Sequence, residues 1–200
     1  MDFYFTIKTN GYAEYQDRGS KFLAYSYSIK AKENFRMQLK ALKKEHPKAV
    51  HYCFAYRIGY DGNNFRSSDD GEPSGTSGKQ ILGQIVKRNL TDILVIVVRY
   101  FGGSLLGIPG LINAYKTAAS LVLQSTQIIQ KSIEVNYSIQ FNHMEMNEIM
   151  RILKQYNCEI LKIENQLFST IETGFPISRE KEVLYALGNI SGVKASLLNK

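Results

Sequence analysis

The 200-residue sequence predicts an α+β protein in two parts, residues 1–127 and 128–200. Three observations lead there. Apolar residues alternate with polar ones in several short runs, the signature of strands with one buried face, and recur at spacings of three and four in others, the signature of helices. The order of strand-like and helix-like runs differs between the two parts. The charge also divides: residues 1–125 hold 17 Lys and Arg against 10 Asp and Glu, residues 126–200 hold 8 of each, and so the first part carries the whole net charge of +7. The change falls in the polar segment QSTQIIQKS, after the apolar stretch Leu111 to Leu123, where a short linker is expected.

The first part reads as a two-layer α/β domain. It opens with strands, in which Leu23, Tyr25, Tyr27 and Ile29 share one face. The helix AKENFRMQLKALKKEH follows, burying Phe35, Leu39 and Leu42 and stopping before Pro47, which cannot continue it. The next strand places Tyr52, Phe54, Tyr56 and Ile58 on one side and His51, Cys53, Ala55 and Arg57 on the other. A long polar loop leads to a helix reaching about Arg88. ILVIVV then reads as a central strand buried on both faces, and LINAYKTAASLVLQ as a nearly all-apolar helix lying on the sheet.

In the second part, Ile133, Val135, Tyr137, Ile139 and Phe141 alternate with Glu134, Asn136, Ser138 and Gln140 as a strand. Met146, Ile149, Met150, Leu153 and Tyr156 form the apolar stripe of a helix. Two strands, CEILKIE and LFSTIETGF, meet at a polar turn of Asn165 and Gln166. Ser178 is expected to cap a helix through Leu187 that Gly188 ends, and VKASLL makes a last strand. The order β-α-β-β-α-β is the ferredoxin-like pattern.

The same residues exclude several classes of protein. Composition is that of a soluble globular chain, 44% hydrophobic and 22% charged. The N-terminus has Asp2 in place of a basic region and breaks its apolar stretch at Thr6 and Lys8, unlike a secretory signal. The charge-free run Tyr100 to Tyr115 carries Gly and Pro109 and falls short of the ~20 apolar residues of a membrane span, so no membrane partner is expected. Cys53 and Cys158 are isolated, and His46, His51 and His143 lack metal-ligand spacing. A cytoplasmic protein with reduced thiols, no metal and no cofactor is the expectation.

Two loops concentrate the polar chemistry. RSSDDGEPSGTSGKQ, residues 66–80, holds Asp69, Asp70 and Glu72, hydroxyls at Ser67, Ser68, Ser74, Thr76 and Ser77, and Lys79 before a helix. It can offer amides and a cation to an anion, or carboxylates to a hard divalent ion. Equally, it can be a rigid turn whose Asp and Ser side chains satisfy local backbone donors. It is not a nucleotide phosphate loop, because Pro73 stands where Gly is needed and Gln80 where Ser or Thr would bind magnesium. In the second loop, RYFGGSLLGIPG, residues 99–110, Arg99 ends an otherwise aliphatic strand and needs a partner if buried. Asp69, Asp70 and Glu72 are the candidates. Gly102 and Gly103 allow close backbone approach, and Pro109 suits the first turn of a helix.

HYCFAYRIG, DDGEPSGTSGKQIL and VVRYFGGSLLGIPGLINAY, with SKFLA near the start, resemble the signature blocks of the YigZ/IMPACT family over nearly the whole chain. The family motif falls on Lys21, His51, Arg57, Asp69, Asp70, Gly71, Glu72, Pro73, Gly75, Thr76, Gly78, Arg99, Tyr100, Phe101, Gly102, Gly103, Gly107 and Gly110. The resemblance implies a first domain with the left-handed β-α-β arrangement of a ribosomal-protein second domain, and a ferredoxin-like second domain. It also implies kinship with eukaryotic translational regulators that act through a protein partner. The chain departs from the family at Ile108 and Pro109, where a small residue and Gly are usual, and at Asn113, where Arg is usual. The departures remove a cation and stiffen the turn.

Three functions follow as expectations. The first is a non-enzymatic regulator touching RNA or the ribosome through a basic ridge of Lys32, Arg36, Lys40, Lys43 and Lys44, with Tyr52, Tyr56, Tyr60 and Phe65 to stack on bases if exposed. Its candidate anion- or partner-binding residues are Lys21, Arg66, Ser74, Thr76, Ser77, Lys79, Arg99, Gly102 and Gly103. The second is a hydrolase or phosphotransferase using His51, Asp69, Asp70 and Glu72 around Arg99. The third is a protein-binding module docking through the Gly-rich loops.

Overall fold

A computed structural model describes residues 2–165 and 168–198. The chain divides into two compact units, Tyr4–Lys131 and Ser132–Lys200 with Met1–Phe3.

The first unit is built on a five-stranded, wholly antiparallel sheet of β2 (Gly11–Asp17), β3 (Ser20–Ser28), β4 (His51–Ile58), β5 (Asn64–Ser68) and β6 (Ile93–Tyr100), in the order β2-β3-β6-β4-β5. Helix α1 (Lys32–Glu45) covers one face, where Phe35 and Leu42 pack with Tyr52, Phe54, Tyr56, Leu94, Ile96 and Val98. Helices α2 (Gly78–Lys87) and α3 (Gly107–Gln124) cover the other, where Ile81, Ile85, Leu111, Ala114, Tyr115 and Ala118 meet Phe22, Ala24, Cys53, Ala55, Val95 and Val97. Helices on both faces are why β6 is aliphatic at successive positions and buried from Ile93 to Arg99 although its sheet is antiparallel. Each such side chain removed from water contributes about 1.5–3 kcal/mol. On β3, Leu23, Tyr25 and Tyr27 face α1 and are half-buried, whereas Ser20, Phe22, Ala24 and Ser26 of the opposite face are buried outright.

Two segments differ from expectation. Residues 64–68 are a strand, β5, paired with β4 by register Arg66 to Tyr56, so the polar loop narrows to residues 69–77. As an edge strand with Asn64 to Ser67 exposed, β5 has no apolar alternation to announce it. The polar segment after α3 is also ordered: Ile128–Ser132 forms β7, which pairs with β1 (Phe3–Ile7) as a separate two-stranded ribbon.

In the second unit β8 (Glu134–Phe141), α4 (Met146–Gln155), β9 (Glu159–Asn165), β10 (Ser169–Pro176), α5 (Glu180–Gly188) and β11 (Lys194–Leu197) follow the β-α-β-β-α-β order. The sheet is antiparallel in the order β11-β8-β10-β9, the ferredoxin-like arrangement. Ile139, Phe141, Ile149, Leu153, Ile171, Phe175, Val183 and Leu187 form its core, with Tyr137 stacked on Phe175 at 4.6 Å. Asn165 is the last residue of β9 and Gln166 lies outside the described residues. Ser178 does not cap α5. The Arg179 amide turns back to the Pro176 carbonyl, which places Ser178 inside that turn and leaves Arg179 to flank the helix without a side-chain cap. Gly188 closes α5 as its final residue, with Asn189 after it.

Candidate functional site

Strand register builds the base of the site. On β6, Arg99 lies opposite Phe22 of β3 and opposite His51 of β4, so three side chains distant in sequence share one sheet face. Arg99 is buried to 5% exposure, which demands a counter-charge. Of its three candidate partners the loop delivers Glu72: Nη1 donates to Glu72 Oε1 at 2.6 Å, and Nη2 reaches Ser20 Oγ at 3.5 Å. Phe22 and Phe101 lie against the guanidinium at 5.5 and 5.8 Å. Tyr115 of α3 donates its hydroxyl to the same Glu72 oxygen at 2.7 Å, and burial pushes its phenol well up from the usual range, with Cys53 and Glu72 adding to the shift. The sequence hint for Tyr115 was slight, one of three hydroxyls, with Thr117 and Ser120, in a largely apolar helix.

The other two carboxylates shape the loop. Asp69 Oδ1 accepts from the Ser77 amide at 3.0 Å, the Ser77 hydroxyl at 2.7 Å and the Gly78 amide at 2.8 Å, while Oδ2 accepts from the Gly75 amide at 2.9 Å. Asp69 is thus the N-terminal cap of α2, supplied from eight residues upstream rather than by its neighbour Ser77. Burial alone would raise its carboxyl, but these hydrogen bonds outweigh that and hold it below the usual carboxylate range. Asp70 Oδ2 accepts the Tyr52 amide at 2.7 Å, pinning the loop to β4. Its φ of 43° is left-handed, which Asp tolerates, and it turns the carbonyl toward His51. His51 Nδ1 lies 2.8 Å from that carbonyl, which can only accept. Nδ1 therefore donates to that carbonyl, and Nε2 lies 3.8 Å from Glu72 Oε1.

Several expected anion ligands are likewise engaged internally. The Thr76 hydroxyl donates to the Pro73 carbonyl at 2.7 Å, Ser77 is spent on Asp69, and both residues are buried. The Gly102 amide donates to Ser20 Oγ at 3.2 Å. A Cβ on Gly102 would stand 1.9 Å from the Gly19 carbonyl carbon, so glycine is there for close passage of two chains rather than to cradle an anion. Gly103 holds φ 86°, a turn conformation that suits glycine. Lys21, Ser74 and Lys79 are exposed, and Arg66 is exposed over the Phe54 ring at 5.9 Å. The ridge residues Lys32, Arg36, Lys40, Lys43 and Lys44 are exposed along α1. Among the described residues no cluster of His, Cys, Asp and Glu could hold a metal ion, and no helix is long and apolar enough to cross a membrane. Cys53 is buried, with Sγ 3.0 Å from the Asp69 carbonyl, and burial pushes its thiol up to about 12.

Above His51, Glu72 and Arg99 opens a cavity of about 430 Å³ walled by Val50, Pro73, Phe101, Leu105, Leu106, Gly107, Ile108 and Leu111. Sequence reading missed this wall, because Leu105 and Ile108 look like ordinary helix-entry residues. Helix α3 begins at Gly107, so Ile108 and Pro109 lie in its first turn.

The model of the Impact N-terminal domain matches residues 18–123. The chain is 31% identical to IMPACT family member YigZ of Escherichia coli over 88% of its length and 86% of that protein's. It is 36% identical to IMPACT family member YvyE of Bacillus subtilis over 65% of its length and 60% of that protein's. A solved structure described as the crystal structure of a hypothetical protein superposes with a TM-score of 0.78 at 26% identity, covering 100% of this chain and 99% of that one.

Proposed function

This chain belongs to the IMPACT family, and from that premise we propose that it is a non-enzymatic, translation-related regulator that touches RNA or the ribosome through its first unit. The ridge on α1 carries this reading. Lys32, Arg36, Lys40, Lys43 and Lys44 are exposed, and among the described residues none lies within ion-pair distance of a carboxylate. Lys32, Arg36, Lys40 and Lys44, four residues apart, follow one another at about 6 Å along the helix, with Lys43 beside the last. Cations with no carboxylate partner are free to displace the counterions condensed on a polyanion. Tyr52 and Tyr56 are buried beneath α1 and take no part in stacking, whereas Tyr60 and Phe65 are exposed. The enzymatic alternative loses support because Asp69 and Asp70 accept hydrogen bonds from the protein's own backbone and Glu72 is paired with Arg99.

The test is a fluorescence-anisotropy titration of a labelled single-stranded RNA at several salt concentrations. Log affinity is expected to fall linearly with log salt, by about 0.7 per phosphate contacted, and Arg36→Glu with Lys40→Glu is expected to flatten that slope by roughly one to two. Affinity insensitive to salt, or unchanged in the double variant, overturns the proposal. So does capture from lysate, by the same ridge, of partners that survive nuclease, since those would be proteins.

A further inference from the structure

We propose that the sheet face beside α1, around Tyr12, Tyr25 and Tyr27, binds an arginine-bearing segment of a protein partner. Helix α1 packs chiefly on β4 and β6. On the β3 and β2 side of it Tyr25 and Tyr27 are half-buried, and Tyr12, opposite Tyr25 in register, is 51% exposed. The Tyr12 and Tyr25 ring centroids are 5.1 Å apart and those of Tyr25 and Tyr27 6.4 Å, the second pair parallel to within 8°. The face of each such ring attracts a cation within about 6 Å of its centroid.

Charge selects the ligand. Glu14, on β2 opposite Leu23 and so on the same face as Tyr12, is exposed, and its carboxylate accepts only from neutral donors, the Tyr12 hydroxyl at 3.4 Å and the Gln16 amide at 2.6 Å. At the other end Glu45 of α1, its side chain 62% exposed, lies 3.7 Å from His46 Nε2, which is itself 2.8 Å from the Tyr25 hydroxyl. Among the described residues neither carboxylate has a Lys or Arg within ion-pair distance. Burial raises all three phenols from their usual value, Glu45 adds to the rise at each and Glu14 adds at Tyr12, so the negative field of the two carboxylates reaches the whole aromatic platform. An anion is repelled here, and an uncharged group leaves the carboxylates uncompensated. A guanidinium suits both parts, its plane stacking on a ring and its fork meeting a carboxylate, which the compact ammonium of lysine does less well. The patch is open, and its rows Tyr12–Glu14 and Tyr25–Tyr27 repeat every second residue, about 7 Å, as do alternate side chains of an extended peptide. This surface is separate from the ridge: Lys43 leans over Tyr52 of β4, and Glu45 stands about 200° further round α1.

The probe is the acetylated and amidated peptide Gly-Arg-Gly-Arg-Gly, titrated with a fluorescent label by anisotropy and without it by NMR of the Tyr12 ring. Its counterparts carry lysine, or citrulline as the uncharged isostere, in place of arginine. Saturable binding of the arginine peptide that moves the Tyr12 signals is expected, about tenfold weaker with citrulline and about two- to fivefold weaker with lysine. Tyr12→Ser and the pair Glu14→Gln with Glu45→Gln are each expected to weaken it at least about threefold with an unchanged circular-dichroism spectrum, while Tyr12→Phe, which keeps the ring, binds as the wild type does. Arg36→Glu with Lys40→Glu, on the ridge, is expected to bind the peptide no more weakly than the wild type, whatever its effect on RNA. Absence of saturable binding overturns the proposal, as does equal or tighter binding of the citrulline or lysine peptide, or an affinity unchanged in folded Tyr12→Ser and in the double glutamine variant. Self-association in sedimentation velocity that Tyr12→Ser abolishes also overturns it, since the occupant is then the basic ridge of a second copy.

Discussion

The acidic loop and the α1 ridge are the two most charged stretches of the first unit, and they use charge in opposite ways. In the loop, Glu72 is buried against Arg99, Asp69 caps α2, and Asp70 holds the loop to β4. On the ridge, Lys32, Arg36, Lys40 and Lys44 stand in water, and Lys43 only grazes the Tyr52 ring at 5.2 Å. A cluster of charge in a sequence is therefore no guide to a ligand until its partners are known. In this chain the carboxylates of the acidic loop are engaged by protein groups, whereas the cations of the ridge are exposed and have no carboxylate partner among the described residues.

The contrast should be sharpest at Glu72. Glu72→Ala leaves Arg99 buried without a counter-charge and is expected to cost about 3–5 kcal/mol in urea unfolding. Replacing both residues, Glu72→Met with Arg99→Met, should recover most of that loss, since an apolar pair of similar volume needs no desolvation of charge. If the single variant is as stable as the wild type, the pair is not the keystone of the loop.

Asp69→Asn comes next, at about 1–2 kcal/mol, through loss of the cap and of charge-assisted bonds to the start of α2. Its pH dependence has a definite sign. Because the folded state holds the Asp69 carboxyl below its ordinary value, its contribution is fully present above the unfolded pKa of about 3.9 and is lost as pH falls through the lower folded value. The wild type should thus lose its advantage over the variant below about pH 4. A stability gap that stays constant from pH 7 to pH 2.5 would count against the cap.

The smallest change in stability belongs to the ridge. Arg36→Glu with Lys40→Glu should leave the unfolding free energy within about 0.5 kcal/mol while changing RNA affinity, because exposed residues without partners have little to lose on folding. A loss of stability comparable to that of Asp69→Asn would erase the distinction between the two regions.

Much of the architecture follows from short-range patterns. Alternation marks β4 and β8, the three-four spacing marks α1 and α4, and the aliphatic run of β6 announces burial on both faces, because side-chain periodicity is a local property of the backbone. Where the outer face is solvated, as in β5, that information is missing, and so the strand is invisible in sequence. The ridge too was readable, since a charged helix face needs nothing beyond its own spacing to be exposed. The candidate site was readable only as a set of residue types. Which carboxylate meets Arg99, why Asp69 serves α2, how His51 comes to lie beside Arg99, and that Leu105 and Ile108 wall a cavity were decided by strand register and loop path. Those depend on the meeting of residues 8 to 79 positions apart, whose partners are selected by packing and hydrogen-bond geometry rather than by side-chain periodicity.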